Sequence, residues 1–211
     1  MKLEDCHFIL IYGGSFDPPH RAHVVLPEIV RHRLGADLVA YLPAARSPHK
    51  LDQQPTDARH RLAMLKLALR DHPRAVVLSD EIDRTVPGEP SYMTDTLVTL
   101  RQRLGAGVTL RLLVGADQAR AFDRWKDAGH VIELADPVVM LRPPETPESL
   151  LASLPDASWR SFWACRMVLT PQMDISATEI RRRVREREPI DDLVPEPVAR
   201  YIYEHGLYRQ S

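Results

Sequence analysis

The fold is decided by residues 8–23, which read Phe8-Ile9-Leu10-Ile11-Tyr12-Gly13-Gly14-Ser15-Phe16-Asp17-Pro18-Pro19-His20-Arg21-Ala22-His23. The apolar run predicts a buried strand, which the glycines and the Pro-Pro turn end before a helical pattern begins. Glycines let backbone N–H groups approach an anion closely, and a helix N-terminus adds the positive end of a dipole. His20 and His23 are three residues apart, so on a helical turn both imidazoles face one side and can donate to phosphate oxygens.

Short apolar runs alternate with helical patterns along the rest of the chain. Strands are predicted over Phe8–Tyr12, Asp37–Leu42, Ala75–Leu78, Val108–Val114, Val138–Leu141 and Met167–Leu169. Helices are predicted up to about Leu34, from Thr56 or Asp57 to Arg70, from about Thr94 to Leu104, from Ser176 and from about Pro195. This alternation indicates βαβ units, and hence an α/β fold: a Rossmann-like, doubly wound parallel sheet with a small helical C-terminal part. Ligands of such sheets bind beyond the carboxyl ends of the strands.

We expect residues 1–211 to form a single domain, with a helical C-terminal subdomain over about 174–211. Arg142–Ser161 is rich in proline and is expected to be an irregular surface excursion, and Ser79–Tyr92 to be a long loop. Pro27 falls inside the first helical pattern and removes the donor for the His23 carbonyl. A bend is expected there, with that carbonyl open to water.

Composition excludes several classes of protein. The chain has 211 residues, 44% of them apolar, and a formal net charge of −1, so no global basic field favours a nucleic-acid partner. Its two cysteines, Cys6 and Cys165, lack metal-site or disulfide spacing, which favours a reducing compartment. Met1–Asp5 carries acids where a signal peptide needs basic residues, and no apolar run approaches transmembrane length. We expect a cytoplasmic protein without a membrane partner; the oligomeric state has no signal in the sequence.

The histidine pair also has two other interpretations. Both side chains could cap a helix or lie on the surface. They could instead ligate zinc, which needs a third ligand that the neighbouring residues do not offer. No metal site within the protein is therefore predicted.

The first motif resembles the His-x-Gly-His signature of the nucleotidylyltransferase superfamily, with Ala22 where glycine is usual. Its Gly-Gly-Ser-Phe-Asp-Pro-Pro-His form is most similar to the bacterial nicotinate-nucleotide adenylyltransferase family. Further segments match that family in order: Ser47-Pro48-His49-Lys50, Ser91-Tyr92-Met93-Thr94-Asp95-Thr96, Gly115-Ala116-Asp117 with Trp125, Ile175-Ser176-Ala177-Thr178-Glu179-Ile180-Arg181, and a tail from Leu193 to Tyr208. The resemblance spans nearly the whole chain.

This resemblance implies adenylyl transfer from ATP to nicotinate mononucleotide, with Mg²⁺ accompanying ATP. The implied catalytic residues are His20, His23, Lys50 and Arg181. The implied ATP-binding residues are Gly13, Gly14, Ser15, Phe16, His20, His23, Gly115, Asp117, Ile175, Ser176, Thr178 and Arg181. The implied mononucleotide-binding residues are Ser15, Lys50, Tyr92, Met93, Trp125 and Lys126. In this family the pyridine ring stacks on the tryptophan, and its carboxylate is held mainly by backbone N–H groups, here those of Met93 and Lys126.

Purely structural roles compete with several of these assignments. Ser176-x-x-Glu179 is a capping box, which needs no ligand. Gly115 and Asp117 could be a turn glycine and a helix N-cap, and Trp125 could belong to the core. The arginines that follow Arg181 are expected to form a solvated face, with Arg182 and Glu186 as an i,i+4 pair.

The chain departs from the family pattern at Ala22, Ala177 and Met93, where glycine, serine and threonine are usual. Met93 keeps open a nicotinamide-mononucleotide adenylyltransferase, and Ala22 and Ala177 keep open a catalytically silent nucleotide-binding module. Phosphopantetheine adenylyltransferase is the nearest alternative within the superfamily, although it usually lacks the features at Ser91-Tyr92 and Trp125. A backbone contact tolerates a change of side chain, so the role of Met93 can survive its substitution.

Overall fold

A computed structural model describes residues 2–45, 55–84 and 91–209 of the chain. The strands of the described part are β1 (Phe8–Gly14), β2 (Leu38–Pro43), β3 (Ala75–Val77), β4 (Thr109–Gly115), β5 (Asp136–Leu141) and β6 (Met167–Leu169). They form one sheet in the order β3-β2-β1-β4-β5-β6, and β1·β4, β4·β5 and β5·β6 are parallel pairs. The predicted α/β Rossmann-like sheet is confirmed. Its order reverses between β1 and β4, which is where ligands of such folds bind.

The helices of the described part are α1 (Arg21–Leu34), α2 (Ala58–Leu69), α3 (Asp80–Arg84), α4 (Met93–Leu104), α5 (Ala116–Arg120), α6 (Ala128–Leu134), α7 (Pro147–Ala152), α8 (Ala157–Ala164), α9 (Ala177–Arg185) and α10 (Glu196–Glu204). Short 3₁₀ turns cover Leu3–Asp5 and Phe122–Arg124. Local signals explain several ends. Asp57 accepts a bond from the Arg59 N–H at the start of α2, and Gly105, at φ 76°, ends α4.

The segment Arg142–Ser161 was predicted to be irregular, and that prediction is wrong. It contains α7 and the start of α8. Thr146 caps α7 and Pro147 is its first residue, a position where proline favours a helix. Pro147 thus marks a helix start, and the segment leads to the fully buried Trp163.

The loop predicted over Ser79–Tyr92 likewise contains the short helix α3. Helices α5 and α6 and a 3₁₀ turn also lie between β4 and β5, where the sequence analysis placed no element. These helices have five to seven residues, too short for a 3.6-residue periodicity to stand out.

The chain divides into two compact units. The first comprises Met1–Gly13, Leu26–Ala40 and Tyr92–Met173, and the second comprises Gly14–Val25, Tyr41–Ser91 and Asp174–Ser211. In the second unit the C-terminal helix α10 packs on α2. The single domain over 1–211 and the subdomain over 174–211 stay predictions.

Candidate functional site

In the second unit the glycine motif leads into a tight loop built around Phe16. Phe16 is buried and adopts φ 49°, in the left-handed region. Its ring lies so close to Gly14 that a Cβ added there would stand 3.0 Å from Cζ. The Gly14 carbonyl accepts a bond from the N–H of Ala44 at 2.9 Å. A side chain at position 14 would therefore require the buried Phe16 ring to shift by a few tenths of an ångström.

The two histidines of this loop stack on one another, as their spacing predicts. Their ring centroids are 3.6 Å apart with 19° between the planes, and the edge of Phe16 supports His23 at 5.1 Å. His20 is buried and lies just before α1 rather than within it. The His20 N–H donates to Nδ1 of His23 at 3.3 Å. Since Nδ1 accepts this bond, neutral His23 carries its proton on Nε2, which makes that nitrogen a donor.

The C-terminal motif meets this loop through Arg181. Nη1 of Arg181 donates to the carbonyl of Asp17 at 2.6 Å, although the two residues are 164 positions apart. Nη2 donates to Oγ1 of Thr178 at 3.3 Å. The guanidinium thus fixes the start of α9 to the loop that leads into His20. Ile175, half-buried, directly precedes the helix cap.

The carboxylate of Asp17 anchors the other side of the same loop. It accepts a bond from the hydroxyl of Tyr208 at 2.6 Å and from the N–H of Thr56 at 3.1 Å. Burial, reinforced by the negative charge of Asp17, raises the pKa of Tyr208 well above its usual value. Tyr208 therefore stays a neutral donor to Asp17.

The predicted capping box at the start of α9 is only half formed. Oγ of Ser176 accepts from the N–H of Glu179 at 3.1 Å. The carboxylate of Glu179 goes instead to Arg182 and Arg183, and hydrogen bonds from these two arginines lower its pKa to about 2. Arg182 also pairs with Glu186, as predicted. Cap formation explains Ser176, whose hydroxyl proton can still donate to a ligand.

Arg61 organises this cluster and was missed by the sequence analysis. Only 1% of it is exposed, and among the described residues it donates to four backbone carbonyls. Nη1 reaches Ser15 at 2.8 Å and Ala44 at 2.7 Å, Nη2 reaches Ala45 at 2.9 Å, and Nε reaches Thr56 at 2.9 Å. Burial lowers the pKa of Arg61.

A signal for Arg61 did exist in the sequence. The buried face of α2 consists of Arg61, Met64, Leu65, Ala68 and Leu69, a helical series that Arg61 opens. A charged residue in phase with an apolar face is buried only when its donors are satisfied, so it indicates a structural or functional centre.

In the first unit the carboxyl end of β4 carries Gly115 and Asp117. The Gly115 N–H donates to Oε1 of Gln118 at 3.1 Å, and a Cβ added at Gly115 would meet no described atom within 4 Å. Asp117 is the second residue of α5 rather than its N-cap, so the structural alternative for it is wrong. Its exposed carboxylate lies 3.1 Å from Nη1 of Arg120.

The carboxyl end of β1 in the same unit is covered by Met93. Its methyl carbon lies 2.8 Å from where a Cβ of Gly13 would stand. Met93 is the first residue of α4, and its N–H is one of the four that a helix leaves without an acceptor in its own backbone. Met93 thus offers a backbone donor, while its side chain fills the space above Gly13.

Trp125 and Lys126 approach the start of α4 from another segment. The Trp125 ring packs on the buried Phe122, with centroids 4.9 Å apart. Nζ of Lys126 lies 4.5 Å from the centre of the Tyr92 ring. This unit therefore brings Lys126 to Tyr92 and to the first turn of α4, and Trp125 precedes Lys126 in the chain.

Lys50 and the segment Ser47–Lys50 lie outside the described residues.

Two further findings concern metals and membranes. Within residues 2–45, 55–84 and 91–209, no group of His, Cys, Asp and Glu side chains could hold a metal ion. No helix of these ranges has the length and apolarity to cross a membrane.

The chain is similar in sequence to known proteins over most of its length. The family model described as "Cytidylyltransferase-like" matches residues 11–183. A probable nicotinate-nucleotide adenylyltransferase of Roseiflexus sp. (strain RS-1) is 39% identical, over 94% of this chain and 96% of the relative. The nicotinate-nucleotide adenylyltransferase of Bacillus subtilis (strain 168) is 32% identical, over 94% and 96% of the two chains.

Solved structures share the fold. The nicotinic acid mononucleotide adenylyltransferase of Plasmodium falciparum, complexed with NaAD, superposes with a TM-score of 0.71. It is 19% identical, and the match covers 95% of this chain and 97% of that one. A structure of the same protein complexed with APC superposes with a TM-score of 0.70.

Proposed function

Because the chain belongs to the cytidylyltransferase-like family, among its nicotinate-nucleotide adenylyltransferases, we propose that it joins ATP and nicotinate mononucleotide. The products are nicotinate adenine dinucleotide and pyrophosphate. The enzyme is a nucleotidyltransferase of NAD biosynthesis. We further propose that it works in the cytoplasm, where both substrates would meet it.

The reaction needs no nucleophile from the protein. A phosphate oxygen of the mononucleotide attacks the α-phosphorus of ATP, a new P–O bond forms, and the bond to the bridging oxygen breaks to release pyrophosphate. Catalysis of this kind consists of positioning and charge stabilisation at the transferring phosphorus. Mg²⁺ would arrive with ATP as part of the substrate, held by phosphate oxygens and water.

The bond from Arg181 to the Asp17 carbonyl is the observation that carries this proposal. This bond joins the C-terminal motif to the loop that leads into the histidine pair. The guanidinium of Arg181 and the imidazoles of His20 and His23 therefore belong to one cluster of donors. Nε2–H of His23 and the guanidinium of Arg181 would then stabilise the negative charge on the phosphates. His20 would contribute beside His23, on which it stacks.

Nucleotide binding would use the remaining residues of the two motifs. The phosphates would pass over the loop formed by Gly13, Gly14, Ser15 and Phe16. The start of α9 would bind them too, because its N–H groups attract anions; this start carries Ile175, Ser176 and Thr178. Gly115 would leave room for the adenosine, and the exposed carboxylate of Asp117 would accept bonds from ribose hydroxyls. Lys50 is proposed, by resemblance alone, to supply a further phosphate-directed charge.

The pyridine ring would be bound in the first unit. Trp125, supported from behind by Phe122, offers a ring face for stacking. The backbone N–H groups of Met93 and Lys126 would hold the carboxylate, and Tyr92 would line the same place. A carboxylate offers one oxygen to each of these two donors. An amide has an NH₂ group in place of one oxygen and would aim its hydrogens at that donor, so nicotinamide mononucleotide should be the poorer substrate.

One set of assays tests the proposal. The protein is incubated with ATP, Mg²⁺ and, in separate reactions, nicotinate mononucleotide, nicotinamide mononucleotide or phosphopantetheine, while pyrophosphate release is followed. We expect kcat/KM to favour nicotinate over nicotinamide mononucleotide by at least about tenfold, and no turnover of phosphopantetheine. Turnover of none of the three would favour a catalytically silent nucleotide-binding module. Equal use of both mononucleotides would refute the carboxylate-selective pocket.

A further inference from the structure

Thr94 ties the first turn of α4 to the segment that carries Trp125. Its Oγ1 donates to the carbonyl of Lys126 at 2.8 Å, and only 5% of Thr94 is exposed. A buried hydroxyl bonded to a backbone carbonyl holds its partner firmly, because breaking the bond would leave both groups unpaired away from water. Two segments 32 residues apart in the sequence are thus fixed to each other at one point.

Two other contacts of Lys126 with this part of the chain are weaker. Nζ of Lys126 lies 3.4 Å from the carboxylate of Asp95 and 4.5 Å from the centre of the Tyr92 ring, but the ion pair is exposed and hence screened. Asp127 follows at φ 52°, a left-handed conformation that a residue with a side chain keeps only where its surroundings impose it. Thr94 therefore provides the strongest of these restraints on the Lys126 backbone.

We propose that Thr94 is a positioning residue, which sets the spacing between the backbone N–H donors of Met93 and Lys126 and so determines the preference for a carboxylate. The inference rests on the proposed function, in which these donors bind the pyridine carboxylate. Met93 precedes Thr94 in the first turn of α4, and the carbonyl that Thr94 holds belongs to Lys126 itself.

The reason lies in the shape of the ligand. A carboxylate has two oxygens at a fixed separation, and two donors can serve both only at a matching distance and angle. Without the Thr94 bond the Lys126 backbone would lose its buried tether to the first turn of α4. Binding of nicotinate mononucleotide should then weaken, while ATP, whose proposed contacts lie on other residues, should bind as before.

Thr94→Val tests this directly, because valine keeps the size of the side chain and removes only its donor. We expect KM for nicotinate mononucleotide to rise about tenfold, and the preference over nicotinamide mononucleotide to fall by a similar factor. KM for ATP should change less than about twofold. Thr94→Ser, which restores the hydroxyl, should return both quantities to within about threefold of wild type.

Two further variants control the comparison. Thr99 lies on the same helix and its hydroxyl bonds the Asp95 carbonyl of that helix at 3.0 Å, so Thr99→Val should leave KM and selectivity unchanged. If Thr94→Val does not fold, Thr94→Cys replaces it, since a thiol is a weak donor of similar size. KM for nicotinate mononucleotide should then rise in Thr94→Cys relative to Thr94→Ser.

The outcomes separate this inference from the proposed function. Wild-type selectivity in the variants without the hydroxyl would overturn the role of Thr94 and leave the function standing. An equal rise of KM for ATP would show a general structural effect and overturn the positioning role as well. Failure of the wild-type enzyme to use nicotinate mononucleotide would overturn both.

Discussion

The hydroxyl of Tyr41 donates to the backbone carbonyl of His23 at 3.1 Å. That carbonyl would ordinarily bond the N–H of residue 27 in α1, but residue 27 is proline and has none. Tyr41, which is buried at the middle of β2, replaces the missing donor, and α1 continues through Pro27 without interruption. The carbonyl expected to be open to water thus has a protein partner next to the histidine pair.

Tyr41→Phe should therefore destabilise the protein. It leaves the His23 carbonyl without this donor, which typically costs about 1–3 kcal/mol in the free energy of unfolding. Urea unfolding measures the difference. Tyr203→Phe, at a residue that is 38% exposed and whose hydroxyl meets the backbone of Ile190, should change the same quantity by less than Tyr41→Phe does, because water can take the place of that contact. Equal stability of the two variants would mean that water replaces the Tyr41 hydroxyl at no cost.

Arg61→Lys should be more harmful than a conservative exchange usually is. A single ammonium group cannot reach the carbonyls of Ser15, Ala44, Ala45 and Thr56 that the planar guanidinium bonds together. We expect a loss of about 2–4 kcal/mol in the free energy of unfolding and a higher KM for ATP, because the Ser15 loop is no longer fixed.

Arg59→Lys is the matched control for that variant. Arg59 lies two residues earlier near the start of α2 and is exposed, so its exchange should cost less than about 0.5 kcal/mol. If Arg61→Lys resembled this control in both unfolding and KM, Arg61 would not organise the loop.

His23→Ala should abolish most of the activity and leave the fold intact. Losing one preorganised donor to a transferring phosphoryl group should lower kcat by on the order of 10²–10³. The bond from the His20 N–H to Nδ1 is lost as well, which should cost up to about 1 kcal/mol of stability. Steady-state kinetics and circular dichroism check these two effects. A kcat within a few-fold of wild type would remove His23 from the mechanism.

Glu179→Gln should make the stability of the protein less sensitive to acid. Hydrogen bonds from Arg182 and Arg183 lower the pKa of Glu179 from its ordinary 4.5 to about 2. Because the pKa of Glu179 is lower in the folded protein than in the unfolded chain, the ionised carboxylate stabilises the fold above pH 4.5. This contribution disappears as the pH falls from 4.5 to about 2. Wild type should therefore lose more Tm than Glu179→Gln across that interval.

Salt and direct titration provide the checks on Glu179. The carboxylate is exposed, so 1 M NaCl should shrink the difference in Tm between the two proteins. Carbon-13 NMR of the Glu179 carboxyl should show a midpoint well below 4.5. A midpoint near 4.5 would contradict the ion pairs of Glu179 with Arg182 and Arg183 on α9.

The sequence determined the sheet, the five longest helices of the described part and the order of the motifs. Apolar runs that alternate with helical periods predict parallel strands directly, because burial on both faces requires continuous apolar stretches. The spacing of His20 and His23 predicted that their rings share a side, and they do, although His20 lies just before α1 and not within its first turn. Short helices such as α3 and α7 escaped prediction because five or six residues hardly display a period.

Tertiary structure alone decided which groups the supporting residues of the site bond. Arg61, Tyr41 and Thr94 serve it through bonds to backbone carbonyls of distant segments, and a carbonyl is the same at every position, so no residue pattern marks the partner. The meeting of Arg181 with Asp17 spans 164 positions and likewise leaves no local trace. Periodicity and spacing encode contacts within a turn or a strand, whereas contacts between segments depend on how the chain returns on itself.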